Sequence, residues 1–353
     1  MDKLRVCVLG GTGLVGQHMI KMLAEHPWFE IDMITASKKS AGKKYEEACK
    51  WLLDGEIPEN VREITVVNTD LENISKNKPD FLLSALPSDV AEEIEIKLAK
   101  VGHKVVSNSS PMRMDEDIPL LNPEVNANHT ELIDFQKETR KWEGFIVKAP
   151  NCSTTILTLT LKPILDEYGI KAISVVTMQS VSGAGYAGVP SMAIIDNIIP
   201  YITKEENKIE TETRKVLGKL KENKIKPINA FISATCTRVP VLYGHMEVVS
   251  IKTKEECEPK DAIKCMEKFR GKIQKMKLPT CPEKPIIVRK EEDRPQPRLD
   301  RYEGKGMSVV VGRIRKCQTM KGIKYIALGN NLIRGAAGVS ILIAELLHKT
   351  NHI

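Results

Sequence analysis

Between an apolar segment over residues 4–9 and an amphipathic stretch over 14–24 lies the run Gly10-Gly11-Thr12-Gly13-Leu14-Val15-Gly16. From Gly11 onward it fits G-x-G-x-x-G, and its place between a strand and a helix gives the motif its meaning. The glycines allow a tight turn and close approach of a pyrophosphate, and the helix start offers free N–H donors and a favourable dipole. Further strands are predicted over 30–36, 65–68, 81–85 and 104–107, with helical patterns such as 90–101 between them. Strands alternating with helices imply a parallel, doubly wound sheet of the Rossmann type. The second strand runs out into Thr35-Ala36-Ser37-Lys38-Lys39, hydroxyls and cations where an NAD-specific sheet places a carboxylate for the ribose 2′-hydroxyl. A 2′-phosphate is welcome there. The expected cofactor is therefore NADP, with Ser37 and Lys38 at its phosphate and Gly10, Gly11, Thr12, Gly13, Leu14, Val15 and Gly16 at the pyrophosphate.

One such sheet does not use up the chain. At 353 residues it exceeds what a single core usually holds, and after Pro150 the pattern changes. A helix predicted over 154–168 leads to β-branched strands over 172–182, 230–239 and 245–253, with a charged helix over 204–223 between them. Residues 289–305 are too polar for either core and are expected as a long surface or intersubunit loop. Strands over 308–313 and 325–328 and a helix over 332–349 close the chain. The expected architecture is a dinucleotide-binding domain, 1–150 with 330–353 returning to it, and an α+β catalytic and dimerisation domain with a mixed sheet, 151–329.

Composition excludes several classes. Lys and Arg are interleaved with Asp and Glu, so the net charge of +7 describes a solvated surface rather than a nucleic-acid groove. No apolar run reaches membrane-spanning length and no leader pattern is present, so a cytoplasmic protein is expected. Eight cysteines lie scattered without metal-finger spacing, which reads as reduced thiols and no metal site.

One of them stands apart. Cys152, in Pro150-Asn151-Cys152-Ser153-Thr154-Thr155, falls where a proline stops a strand and hydroxyl residues can cap the helix that follows. The helix dipole there would stabilise a thiolate, which makes Cys152 the candidate nucleophile. Gln179, Arg238 and His245 are polar residues in apolar surroundings and supply an amide donor, an anion clamp and a base, the roles that acyl transfer requires.

Taken in order, Gly10 to Gly16, Ser107-Asn108-Ser109-Ser110-Pro111-Met112-Arg113, Pro150 to Thr154, Ser182-Gly183-Ala184-Gly185-Tyr186, Arg238-Val239-Pro240-Val241 and Gly329-Asn330-Asn331-Leu332-Ile333-Arg334-Gly335-Ala336-Ala337-Gly338 resemble the archaeal and fungal branch of aspartate-semialdehyde dehydrogenase. The resemblance spans essentially the whole chain. It implies Cys152 as acyl-accepting nucleophile, His245 as general acid and base, Gln179 as an orienting group and Arg238 as clamp of the substrate α-carboxylate. In the family a Glu holds the substrate amino group and a Lys three residues on helps bind phosphate. These map to Glu205 and Lys208, with Glu206 the alternative to Glu205. Asn108 and Arg113 would complete the phosphate site, and Ser182, Gly183, Asn330 and Asn331 would line the nicotinamide end. The implied reaction is phosphate-dependent reduction of L-aspartyl 4-phosphate to the semialdehyde, on the route to lysine, methionine, threonine and isoleucine, in a homodimer or homotetramer. A malonyl-CoA reductase on the same scaffold is the nearest rival, and a non-catalytic dinucleotide sensor is a rival of another class.

Overall fold

In the computed structural model, which describes residues 2–353, the chain builds two six-stranded sheets. The first contains β1 (Leu4–Leu9), β2 (Phe29–Ala36), β3 (Val67–Asn68), β4 (Phe81–Ser84), β5 (Lys104–Ser107) and β6 (Phe145–Lys148). Its order is β3-β2-β1-β4-β5-β6 and every pair is parallel. Residues Val6 to Leu9 have no exposed surface, as a strand covered on both faces requires, which is why β1 reads as a continuous apolar run. Helices α1 (Leu14–Leu23) and α2 (Ser88–Lys100) follow β1 and β4. The strand order reverses between β1 and β4, so the glycine turn lies at the carboxyl-end crevice where open α/β sheets bind ligands.

The second sheet is mixed, with order β10-β7-β11-β14-β13-β12. Its strands are β7 (Ile170–Gln179), β10 (Phe231–Arg238), β11 (His245–Thr253), β12 (Ile286–Val288), β13 (Val309–Cys317) and β14 (Gly322–Gly329). Here side chains alternate: Ile173, Val175, Thr177 and Gln179 of β7 are buried, whereas Ser174 and Val176 between them are exposed. Period-two burial marks a sheet packed on one face. Helix α3 (Cys152–Tyr168) lies in the core under that inner face, and α4 (Glu205–Val216) packs beside α3 and β10. The last helix, α5 (Gly338–Lys349), puts Val339, Ile341, Ile343 and Leu347 into the core of the first sheet.

Several elements differ from expectation. The charged helix stops at Val216 rather than running to 223, because the chain turns at Gly218 and returns through a hairpin, β8 (Lys219–Lys221) and β9 (Lys224–Lys226). A Cβ at Gly218 would lie 2.7 Å from Ile225 and 2.8 Å from the Lys226 carbonyl oxygen. Residues 289–305 are not simply a surface loop: Asp300 is buried and paired with Arg289 and Arg294, and that neutralisation lets a polar segment fold inward. The strand expected over 65–68 shrinks to Val67–Asn68. The closing helix opens with a wide turn, Ile333–Ala337, before α5 begins.

Candidate active site

The site is built from the end of β6 outward. Asn151 caps α3, its Oδ1 accepting from the N–H groups of Ser153 and Thr154 at 2.9 and 3.2 Å, so Cys152 becomes the first helical residue. The hydroxyl residues expected to cap lie inside the first turn instead, where Ser153 Oγ and Thr154 Oγ1 are buried without partners. Cys152 faces a cavity of about 340 Å³ whose walls include Asn108, Arg113, Gln179, Ser182, Gly183, Glu205, Lys208, Arg238 and Asn331.

The second sheet supplies three of the groups in one register row. Arg238 pairs with Gln179 across β10 and β7, and His245 begins β11 beside the Met246–Met178 pair. Gln179 donates to Thr177 Oγ1 and, at 3.1 Å, to Glu205 Oε1. Arg238 Nη1 donates to the Ser180 carbonyl oxygen at 2.9 Å. His245 Nδ1 accepts from the Ser180 N–H at 3.1 Å, which leaves the proton on Nε2. Nε2 has no partner. His245 is fully buried and does not itself line the cavity; it stands behind Gly183, where a Cβ would lie 3.2 Å from Nε2 and 2.7 Å from Arg238 Nη1. Gly183 alone, without a side chain, stands between the imidazole and the cavity, and a Cβ there would crowd Arg238 as well. Burial, with Arg238 adding to it, lowers the imidazole to about 3, so it is neutral across the usable pH range.

Helix α4 closes the other wall. Glu205 Oε1 accepts from Asn151 Nδ2 at 2.7 Å, and Lys208 Nζ lies 3.6 Å from Glu205 Oε2. Glu206 points elsewhere, accepting from the Cys236 N–H, so the carboxylate at the cavity is that of Glu205. Arg113 donates to Glu212 at 3.0 Å and to the Asn108 carbonyl oxygen at 2.6 Å, and Asn108 Nδ2 reaches Ser340 Oγ at 2.7 Å. A buried Lys148–Glu95 pair, bonded to Ser107 and Ser109, props this loop from below.

Not every singled-out residue converges here. Ser37 and Lys38 lie exposed past the end of β2, next to the glycine turn, whose Gly10 and Gly11 N–H groups donate to the Thr35 carbonyl oxygen at 3.0 Å. Of that turn only Val15 reaches the cavity. Asn331 lines the cavity and joins Ser180, Ser182 and the Gly244 N–H, whereas Asn330 turns its oxygen to the N–H groups of Leu332 and Ile333. The expected low thiol pKa is reversed: burial, with the Glu205 carboxylate adding to it, pushes Cys152 up to about 12. The Ser153 N–H and the cations Arg113 and Arg238 pull the other way without prevailing.

Sequence reading missed Asn151, Glu212 and Gly335 as parts of the site. A Cβ on Gly335 would lie 2.6 Å from that of Cys152, so the wide turn packs directly on that residue. A signal for Glu212 was present, since it falls on the same helical face as Glu205 and Lys208.

The glycine turn has the features a dinucleotide requires. Helix α1 begins at Gly13 without a side-chain cap, leaving its first N–H groups free. A Cβ at Gly13 would meet only the Gly10 oxygen, at 3.4 Å, so that side of the turn is open, while Gly10 itself has φ +77° and is pressed against Ala85.

Comparison with known proteins agrees with this architecture. Residues 5–133 match the family model described as the NAD binding domain of semialdehyde dehydrogenase, and 161–334 match its dimerisation domain. An aspartate-semialdehyde dehydrogenase from Methanothermobacter thermautotrophicus is 52% identical over 98% of this chain and 99% of its own. A malonyl CoA reductase (NADP) from Metallosphaera sedula is 39% identical over 99% and 98%. The crystal structure of aspartate semialdehyde dehydrogenase with NADP from Candida albicans superposes with a TM-score of 0.91 at 38% identity, covering all of both chains.

Proposed function

Since the chain belongs to the semialdehyde dehydrogenase family, in its aspartate-semialdehyde dehydrogenase branch, we propose that it reduces L-aspartyl 4-phosphate to L-aspartate 4-semialdehyde with NADPH, through a thioester on Cys152. The observation that carries this reading is the cavity itself. One buried carboxylate, Glu205, and two arginines, Arg238 and Arg113, surround a single cysteine, which suits a substrate with an ammonium, a carboxylate and a phosphate.

The substrate ammonium pairs with Glu205 and removes one of the causes that hold the thiol protonated. Cys152 attacks the acyl carbon, the carbon–sulfur bond forms as the bond from that carbon to the phosphate oxygen breaks, and the departing phosphate takes up the thiol proton as it leaves toward Arg113 and Lys208. Gln179 and the free Nε2–H of His245 supply hydrogen bonds to the carbonyl oxygen, which becomes an alkoxide when the thioester is reduced. When bound, the nicotinamide supplies the hydride. The alkoxide then collapses, expelling the thiolate and releasing the aldehyde. A neutral imidazole fixed as donor by Ser180 stabilises that oxygen without tying up a proton.

For the cofactor, Ser37 and Lys38 would hold the 2′-phosphate, the unpaired N–H groups of the glycine turn the pyrophosphate, and Ser182, Gly183 and Asn331 the nicotinamide end. Asn330 would act one step back, by holding the turn after β14. The chain would divide into a cofactor domain, 1–150 with 330–353, and a catalytic and dimerisation domain, 151–329, a reading supported by an apolar core on each sheet, with Leu120 and Val125 packing into the second. The same reading makes the protein a cytoplasmic homodimer, or a dimer of such dimers, in amino-acid biosynthesis, consistent with eight free cysteines.

The Metallosphaera relative keeps a second reading in play, reduction of a CoA thioester. Purified protein assayed with NADP, phosphate and aspartate semialdehyde, against NADPH and malonyl-CoA, decides between them. Turnover is expected with the semialdehyde, strictly dependent on phosphate, and lost in Cys152→Ser while NADP still binds; activity with malonyl-CoA alone overturns the assignment.

A further inference from the structure

Glu212 takes no part in the reaction as proposed, yet its carboxylate, 2% exposed, is shared between two groups that border it. Oε1 accepts from Arg113 Nη1 at 3.0 Å, and Oε2 accepts at 2.6 Å from the backbone N–H of Asn151, the residue before the nucleophile. Resting on the reading of Arg113 as part of the phosphate site, we infer that Glu212 is a positioning residue that fixes the phosphate-binding guanidinium relative to Cys152.

The geometry on each side explains why one carboxylate suffices. Arg113 is tied at Nη1 by Glu212 and at Nη2 by the Asn108 carbonyl oxygen, while its Nε is buried without a partner. Two tethers orient a planar guanidinium, and the second N–H of each Nη is not used by either tether and is left for an anion. Asn151 is pinned more completely. Its N–H goes to Glu212, its Nδ2 to Glu205, its Oδ1 to Ser153 and Thr154, and its carbonyl oxygen to the Thr155 N–H. The two oxygens of a carboxylate are held at a fixed covalent separation. Any sideways shift of Arg113 is therefore passed to the backbone that presents Cys152.

Helix α4 gives this bracket its length. Glu205, Lys208, Glu212 and Lys215 share one face, and Lys215 Nζ donates to the carbonyl oxygens of Arg113, Asp115 and Ile118 at 2.8, 2.7 and 2.8 Å. The amine-side carboxylate and the phosphate-side bracket are thus about 10 Å apart along a single rigid element. A carboxylate present only to neutralise a buried arginine would have no reason to hold the neighbour of the nucleophile as well.

The test is protection of Cys152 from iodoacetamide by inorganic phosphate, followed by peptide mass spectrometry, together with KM for phosphate, semialdehyde and NADP. Glu212→Gln keeps an acceptor for one donor and loses the charge. It should raise both the half-protecting phosphate concentration and the phosphate KM about ten-fold, leaving the NADP KM unchanged. In an Arg113→Ala background the same substitution should add nothing further. Glu212→Asp, one methylene too short to span both donors, should show the same selectivity, and it carries the test if the Gln variant does not fold. An unchanged phosphate response, an equal rise in all three KM values, or additive effects with Arg113→Ala overturns the inference. Phosphate protection without any turnover of the semialdehyde overturns the proposed function alone.

Discussion

Glu247 follows His245 by two residues along β11 and so shares its face, in a row that runs Cys236, Thr177, Glu247, Ala327 across four strands directly beneath the row of Arg238, Gln179 and His245. It is fully buried, neither carboxyl oxygen has a partner, and burial pushes its pKa well above the usual carboxylate range. In the folded protein burial favours the neutral acid, whereas in the unfolded chain the group ionises near 4.5. A raised folded-state pKa stabilises fully below the unfolded value and loses that contribution as pH climbs toward the folded one. Glu247→Gln should therefore raise the melting temperature at pH 8 by about 3 °C or more and leave it nearly unchanged at pH 4, read by calorimetry. An equal effect at both pH values would show that the carboxyl is hydrated and ionised in place. At this scale the sequence singled out candidate residues but not their protonation. Cys152 and His245 were legible from type and context, yet the direction of the thiol shift depends on burial and on Glu205, a carboxylate that only folding brings near.

Among the elements, the segment from Asn330 to α5 does two jobs. Its helix fills the core of the first sheet, and its opening turn presses on α3 of the catalytic wall. Gly335 is the point of contact. A methyl group there meets Cys152 Cβ at 2.6 Å and Cα at 3.0 Å, against the fixed start of a helix rather than a flexible tip. Gly335→Ala should displace the nucleophile by a fraction of an ångström or more and cut kcat about 100-fold, with NADP affinity and the circular dichroism spectrum preserved. Steady-state kinetics beside a binding titration checks it, and an unaltered kcat means that the turn gives way elsewhere. Legibility of elements followed packing. Strands with strict alternation or a covered apolar run came out well: β1, β5 and β11 span the residues their patterns indicated. What failed was set by contacts remote in sequence. The hairpin after α4 exists because Gly218 must approach Ile225, and the polar segment around Asp300 folds because arginines neutralise it.

At the scale of the whole molecule the second sheet has a face with exposed apolar side chains that none of the described residues covers. Val176 and Phe231 stand exposed on it, among Ser174, Ser233 and Thr235 of the same adjacent strands β7 and β10. Past the edge of β10 the chain returns through Ile199, hydrogen-bonded to Arg238 in both directions, and brings the exposed Ile195, Ile198 and Tyr201 alongside. Exposed apolar side chains interleaved with hydroxyl residues suit association, and this face lies within the part that matches a dimerisation domain. In the proposed homodimer a second copy would meet this face through a two-fold axis, so that every residue contributes twice. A charge placed at its centre is then paid for twice as well, at several kcal/mol for each unpaired carboxylate shut away from water. On that proposal light scattering at micromolar concentration should give a dimer for the unaltered protein and a monomer of about 39.5 kDa for Val176→Asp combined with Phe231→Asp. Neither Val176 nor Phe231 lines the cavity, so the monomer should still bind NADP. A dimer that survives both substitutions moves the interface elsewhere.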